Sequence, residues 1–285
     1  MEIEFHNRKE EIEEIMEVLS HRPDSIYFVY GPINSGKTEL FQYLINQLPK
    51  EYVVFYINLR ERMTRDYKDF IETLFEVRED KRRFILKRSS DTTKFVGFPI
   101  SKALFNTMFR EDKSKNAFRY IVSITEELKE KGKKPILILD EVQKIGDVKL
   151  DNYLIYELFN LLIRLTKEKH SCHVFAVTSN SLFLEKVYNE AMLQGRCDYL
   201  LVDDFDYNTT VNFLEKYNFN KEEIQMVWEY LGGKPVYLVK AIKNKHRLKE
   251  FCRETLEDRV SSILYEIKNL KRENEQLFQK VVNLF

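Results

Sequence analysis

The segment Gly31-Pro32-Ile33-Asn34-Ser35-Gly36-Lys37-Thr38 fits the eight-position pattern G-x-x-x-x-G-K-[ST] and lies between an apolar strand and a helix. The preceding run Ile26-Tyr27-Phe28-Val29-Tyr30 is β-branched and aromatic, as a strand buried on both faces should be. After it, Leu40, Phe41, Leu44 and Ile45 recur at helical spacing. A strand, a glycine-bearing loop and a helix in this order predict a phosphate cradle. Gly31 and Gly36 let the backbone N–H groups turn inward, and the helix N-terminus adds partial positive charge. The loop from Gly31 to Glu39 is therefore the expected nucleotide contact, with Lys37 on the β- and γ-phosphates and the Thr38 hydroxyl on Mg²⁺.

A second motif supports this reading. Ile136-Leu137-Ile138-Leu139 runs into Asp140-Glu141, after the breaker pair Lys134-Pro135. This predicts a buried parallel strand with acids at its C-terminal tip, where open α/β sheets bind ligands. Asp140 is expected to hold Mg²⁺ through water, and Glu141 to orient and deprotonate an attacking water.

Composition bounds the alternatives. Lys+Arg and Asp+Glu both count 46 in 285 residues, so no overall basic field binds nucleic acid through charge alone. Cys172, Cys197 and Cys252 are odd in number and widely spaced, as in a reducing compartment. With no basic, apolar leader at Met1–Phe5 and no run approaching ~18 uncharged apolar residues, a cytoplasmic protein without a membrane span is expected. His170, Cys172 and His173 crowd together, but no second pair elsewhere has zinc-ligand spacing, and a strand start with incidental polar residues is preferred.

Helical and strand patterns alternate from Ile12 to Thr178 as a doubly wound sheet requires. Helices are expected at Ala117–Lys131 and Leu150–Lys167, and strands at Tyr52–Leu59 and His173–Thr178. After Asp203-Asp204 the pattern stays helical, opening on Asn208-Thr209-Thr210 as a capping segment. The expected division is an α/β domain at 1–205, with an insertion at about 78–115, followed by a helical lid and C-terminal helix at 206–285.

These residues resemble the archaeal ATPase family, a branch of the AAA+/STAND group of P-loop NTPases close to the origin-recognition type. Beyond the two phosphate-site motifs, the resemblance rests on Phe5-His6-Asn7-Arg8-Lys9-Glu10-Glu11, Thr178-Ser179-Asn180, Gly195-Arg196 and Gly232-Gly233-Lys234-Pro235, in family order over most of the chain. It implies a five-stranded parallel sheet of order 5-1-4-3-2, a small helical lid and ATP as the nucleotide. It also implies roles for individual residues. Asn7 and Arg8 would line the adenine side, the other reading being a solvated first helical turn. Ser179 or Asn180 would sense the γ-phosphate or position water. Arg196 would offer a cation to the triphosphate in cis or across a subunit boundary, the other reading being a surface arginine after a glycine turn. Pro235 would open a lid helix beside the nucleotide, the other reading being an ordinary helix junction.

Two segments leave partners open. Arg78 to Lys94 carries seven basic residues against three acidic ones, with Phe84, Ile85 and Phe95 interleaved. DNA or an acidic partner fits this pattern, but a solvated helix face is preferred. At the C-terminus Leu256, Val260, Ile263, Ile267, Leu270, Asn274, Leu277, Val281 and Leu284 follow alternating steps of four and three. That is the seam of a parallel two-stranded coiled coil, with Glu266 and Lys271 as a possible interchain pair. Leu264, Phe278 and Phe285 widen the apolar face, which favours packing within the chain's own domain. The expected activity is Mg²⁺-dependent ATP hydrolysis coupled to lid movement and transmitted through a protein partner. The alternative is a slow or non-hydrolysing nucleotide switch.

Overall fold

The computed structural model describes residues 3–61, 67–78, 93–110, 114–145, 153–190 and 193–273, with 275 and 279. Compactness divides the chain into Asn7–Asp203 and a second unit of Met1–His6 with Asp204–Phe285.

The first unit runs α1 (Lys9–Ser20), β1 (Ile26–Tyr30), α2 (Lys37–Gln47), β2 (Tyr52–Asn58), α3 (Tyr67–Thr73), β3 (Phe75–Arg78), β4 (Thr93–Phe95), β5 (Phe98–Ser101) and α4 (Lys102–Arg110). It continues with α5 (Ser114–Glu130), β6 (Lys134–Asp140), α6 (Tyr153–Ile163), β7 (His173–Thr178), α7 (Ser181–Glu190) and β8 (Cys197–Leu201). The helix expected at Leu150–Lys167 ends as a π-helical turn over Arg164–Glu168.

The main sheet has six strands in the order β4-β2-β6-β7-β1-β8, every adjacent pair parallel. This corrects the expected five-stranded sheet: there are six strands, and the full order differs from the expected one by the edge strand β4. The added strand β4 pairs with β2 at the sheet edge, Val53 to Phe55 opposite Thr93 to Phe95. Inside it the remaining strands lie side by side as β2, β6, β7, β1 and β8. β3 and β5 form a separate parallel pair. The expected insertion therefore helps to build the core in its described parts. Phe55 stacks on Phe95 and Phe98 at centroid distances of 5.7 and 4.3 Å. At Gly97 a Cβ would lie 2.8 Å from the Phe75 carbonyl carbon, so the two segments meet closely only through glycine.

Burial explains the strands. In β1, β2, β6 and β7 nearly every residue is buried, as strands covered by helices on both faces must be. Register then fixes which residues share an edge. Asn58 stands opposite Asp140, and Tyr30 opposite Thr178 and Leu201, so the strand ends leading into Gly31, Glu141 and Ser179 lie along one edge.

The second unit is helical: α8 (Tyr207–Glu215), α9 (Lys221–Leu231), α10 (Pro235–Lys243) and α11 (Leu248–Glu273). α8 is capped by Asp206, whose carboxylate accepts from the Thr209 amide at 2.7 Å, in place of the expected Asn208-Thr209-Thr210 opening. α9 begins with a reciprocal capping box between Asn220 and Glu223. Phe213, Leu214, Val227, Leu231, Leu238, Phe251 and Cys252 form its core.

His173 opens β7 and is buried among the strands. Burial, and then the nearby Lys134 charge, pushes its imidazole down to about 4. The unfolded imidazole takes its proton near ~6.5, so between that pH and about 4 the unfolded chain binds more protons and folding weakens as pH falls. The loss should reach on the order of 3 kcal/mol at the acid end of the window. Thermal unfolding from neutral pH to pH 4 should therefore be steeper in the wild type than in His173→Gln, with the two parallel above ~6.5. Equal slopes throughout would refute the assignment.

Candidate functional site

The phosphate loop leaves β1 at Tyr30 and enters α2 at Lys37. Gly31 has no alternative: a Cβ there would sit 2.1 Å from the Val202 carbonyl oxygen beyond β8. Asn34 at φ 64° and Gly36 at φ 96° take left-handed conformations that coil the loop over the helix N-terminus. Gly36 caps α2 and, having no side chain, makes no capping hydrogen bond of its own to the first helical amides. This is the backbone arrangement of an anion site. Ser35 is buried, whereas Ile33, Asn34 and Glu39 are exposed.

Lys37 is buried and its ammonium turns back on the loop. Nζ donates to the Gly31 and Pro32 carbonyls at 2.9 and 2.8 Å, with Ser35 Oγ at 3.4 Å. A buried ammonium takes the acceptors within reach, and here the loop supplies them.

Asp140 joins three elements. Its Oδ2 accepts from Thr38 Oγ1 at 2.8 Å and from the Tyr56 hydroxyl at 2.5 Å, and its Oδ1 accepts from the Glu141 amide at 2.9 Å. Burial, and then the adjacent carboxylate, pushes the Tyr56 phenol well above its usual value, so it stays a donor. Lys94 of β4 lies over the Tyr56 ring, 5.0 Å from its centroid. The Thr38 hydroxyl and Asp140 carboxylate form an all-oxygen pair of the kind that suits Mg²⁺.

Glu141 has φ 60°, a left-handed conformation just past the end of β6. Its Oε2 accepts from Arg60 Nη2 at 2.8 Å and from Gln143 Nε2 at 2.7 Å. Gln143 continues the chain of contacts: its Oε1 accepts from Thr178 Oγ1 at 2.7 Å, and its Nε2 lies 3.3 Å from Ser179 Oγ. The tip of β7 thus reaches Glu141 through one amide side chain.

Other expected residues are placed differently. Asn180 spends its side-chain oxygen on the Phe183 amide at 3.1 Å, capping α7, so Thr178 and Ser179 face the site instead. Arg8 is 6 % exposed, which rules out the solvated helical turn. Its guanidinium donates to Glu11 at 2.7 Å and to the Ser35 and Asp203 carbonyls at 2.6 Å each, bracing the loop against the end of β8. Asn7 beside it is exposed.

Arg196 precedes β8, and its carbonyl accepts from the Ile26 amide at 3.1 Å. Cys197 stands opposite Ile26 at the start of β1, so Arg196 lies at the edge of the sheet away from Gly31. This corrects the cis reading: parallel register separates it from this chain's own loop by the length of β1. Pro235 opens α10 in the helical unit. There Gly233 is fixed by its neighbours, since a Cβ would lie 1.7 Å from the Phe205 carbonyl oxygen. Residues 79–92, with most of the basic stretch, lie outside the described residues. His170 Nδ1 faces the Pro23 carbonyl. Among the described residues no group of three or more His, Cys, Asp and Glu is arranged to hold a metal ion.

Sequence reasoning missed Tyr56, Arg60 and Gln143. Gln143 sits two residues past Glu141 and Arg60 two past the end of β2, positions that locate them near the strand tips.

A parallel sheet with this loop between β1 and α2, and an acid pair at the tip of β6, defines a P-loop NTPase fold. The profile of a family described as an ATPase domain predominantly from Archaea matches residues 5–241, and the chain belongs to that family. It is 48 % identical over 301 residues to an uncharacterized ATP-binding protein of Methanocaldococcus jannaschii, covering 99 % of this chain and 83 % of that one. To an uncharacterized ATP-binding protein of Pyrococcus abyssi it is 49 % identical over 286 residues, covering 99 % and 84 %. Among solved structures, the Walker-type ATPase of Pyrococcus abyssi aligns at TM-score 0.60 and 19 % identity, over 95 % of this chain and 77 % of that one. The Aeropyrum pernix ORC2 protein aligns at TM-score 0.55 and 12 % identity, over 90 % and 69 %. Among the described residues no helix is long and apolar enough to cross a membrane.

Arg8 gives a direct test of the brace. Replacing it leaves the Ser35 and Asp203 carbonyls without their donor, and Arg8→Ala should cost about 3 kcal/mol in urea unfolding. Arg8→Lys should recover only a minor part, because one ammonium cannot reproduce the guanidinium fork. Full recovery by lysine would show that charge alone matters.

Proposed function

We propose that this chain binds ATP with Mg²⁺ and hydrolyses it, and that nucleotide turnover moves the helical unit relative to the sheet unit to act on a protein partner. The observation that carries the reading is the pair of adjacent acids at the tip of β6: Asp140 accepts from Thr38 at the start of α2, and the carboxylate of Glu141, the next residue, is held by Arg60 and Gln143. Family membership and the ATP-binding names of its relatives support ATP as the nucleotide.

In this reading the loop amides and the N-terminus of α2 hold the β- and γ-phosphates, and Lys37 exchanges its loop carbonyls for phosphate oxygens. Thr38 and Asp140 would hold Mg²⁺, which when bound neutralises charge on the phosphate oxygens. Tyr56 keeps the Asp140 carboxylate oriented. Glu141 orients a water and takes its proton as the water oxygen bonds to the γ-phosphorus. The bond from that phosphorus to the β–γ bridging oxygen breaks, and ADP leaves with the bridging oxygen. Thr178 and Ser179 report on the γ-phosphate side through Gln143, which makes Gln143 a positioning residue. Arg196 fits this scheme only as a cation offered to a neighbouring subunit's nucleotide.

One feature favours a slow switch as the second reading. Both donors to Glu141 use Oε2, and one of them is a cation, so the carboxylate is tethered before any water reaches it. Release of Arg60 would then be the step that permits turnover.

Mg²⁺-dependent phosphate release from ATP separates these readings. Lys37→Ala should lose binding and turnover together. Glu141→Gln should keep ATP binding and lose turnover by roughly 10²-fold or more. Gln143→Ala should lower kcat with little change in KM, as a positioning residue does. Arg60→Ala should lower kcat if Arg60 orients Glu141 in a free-running hydrolase, and raise it several-fold if the tether holds a slow switch. Unchanged turnover in Glu141→Gln would overturn the assignment of the base.

A further inference from the structure

The second half of α11 has no packing role that its residues explain. Its first turns are anchored in the helical unit: Leu248, Phe251 and Cys252 are buried, and Arg259 reaches the Leu231 carbonyl and lies over Tyr237. From Val260 to Lys268 every residue is exposed. Val260, Ile263, Leu264 and Ile267 are 46, 54, 50 and 36 % exposed. Packing of this helix into its own domain, the reading favoured from its wide apolar face, is corrected for these residues.

Isolated exposed apolar residues need no explanation, but these keep one period. Leu256, Val260, Ile263, Ile267 and Leu270 occupy alternating d and a positions on α11, and the same steps continue in the sequence to Leu284. The pattern beyond Glu273 lies outside the described residues apart from 275 and 279, and is a property of the sequence alone. A seam of about four heptads is long enough to specify a coiled coil. Its chemistry selects one occupant. The a positions hold Val260, Ile267, Asn274 and Val281, and the d positions are mostly leucine. β-branched residues at a with leucine at d favour two parallel strands, and a single asparagine at a fixes register and oligomer state by pairing with its own copy. Glu266 falls at g and Lys271 at the following e, opposite charges that meet across a parallel dimer.

We propose that α11 beyond Arg259 is a homodimerisation element, in which the seam led by Val260, Ile263 and Ile267 pairs in parallel and in register with the same seam of a second copy. Glu266 of one copy then lies against Lys271 of the other, and the exposed apolar stripe is buried. The inference does not depend on ATP hydrolysis.

Light scattering on the full chain over a dilution series tests it. The wild-type mass should be that of two chains and fall toward one on dilution. Ile263→Glu combined with Ile267→Glu should give one chain at every concentration, with thermal unfolding matching that of the wild type diluted to a single chain, because both side chains are exposed in the isolated chain. Leu270→Cys should crosslink to itself on oxidation, since a d position faces its own copy only in a parallel pair. A wild-type chain that is monomeric throughout would overturn the proposal, and would mean that another segment or partner covers the seam. A dimer that survives the double variant, or that fails to crosslink through Leu270→Cys, would overturn it as well.

Discussion

The buried carboxylate of Asp140 is the constraint on which the site depends. An ionised acid at the end of a buried strand must find donors, and Asp140 finds three: a hydroxyl from α2, a phenol from β2 and the amide of its own successor. Each donor belongs to a different part of the site. Thr38 brings the helix that follows the phosphate loop, Tyr56 brings the neighbouring strand, and the Glu141 amide turns the chain. Satisfying one charge therefore sets the positions of the loop, the strand tip and the acid beyond it. The parallel register makes this possible by ending β1, β2, β6 and β7 along one edge.

The loop is held from its other side by a second buried charge. Arg8 spans Ser35 and Asp203 and so ties the turn of the loop to the segment after β8, while Gly31 lies against Val202 in the same segment. The loop thus sits between β8 and the acid pair, with its lysine satisfied by its own carbonyls. On the proposed function, nucleotide binding would exchange one set of acceptors for another, and the buried ammonium would not first have to be paired from water.

What was legible in the sequence follows from how local each signal is. Gly31 to Thr38 and Ile136 to Glu141 are contiguous strings in which residue type, spacing and element order speak together, and the fold brings them to one edge. Tyr56, Arg60 and Gln143 carry no such signal, because their partners are decided by strand register: Tyr56 reads as one more apolar residue of a buried strand. β4 was missed because Thr93–Phe95 is three residues long in a basic stretch, and only pairing with β2 makes it a strand. For Arg8 the sequence left the adenine side and a solvated turn both open, because burial is a tertiary property. For Arg196 the sequence left a role in cis or across a subunit boundary open, and only the parallel direction of β8 shows that the start of that strand lies at the edge away from this chain's own loop. On α11 the period was legible, but whether the chain itself covers the seam was not.

The backbone of Glu141 explains how adjacent acids take different partners. Two residues in sequence along a strand face opposite sides of the sheet, so a regular strand ending Asp-Glu would bury one acid and strand the other across the sheet. Glu141 instead adopts φ 60°, a left-handed conformation that a non-glycine residue holds only when its surroundings compensate about 1 kcal/mol of strain. The compensation is visible: its amide turns back to Asp140 Oδ1 and its carboxylate gains Arg60 and Gln143. The turn ends the strand and starts the 3₁₀ segment Val142–Ile145, which places Gln143 between Glu141 and the tip of β7. One strained residue thus separates the acid that faces the loop from the acid that faces the strand tip. A more relaxed backbone at this position would keep the charge of both acids and lose their separate sets of partners.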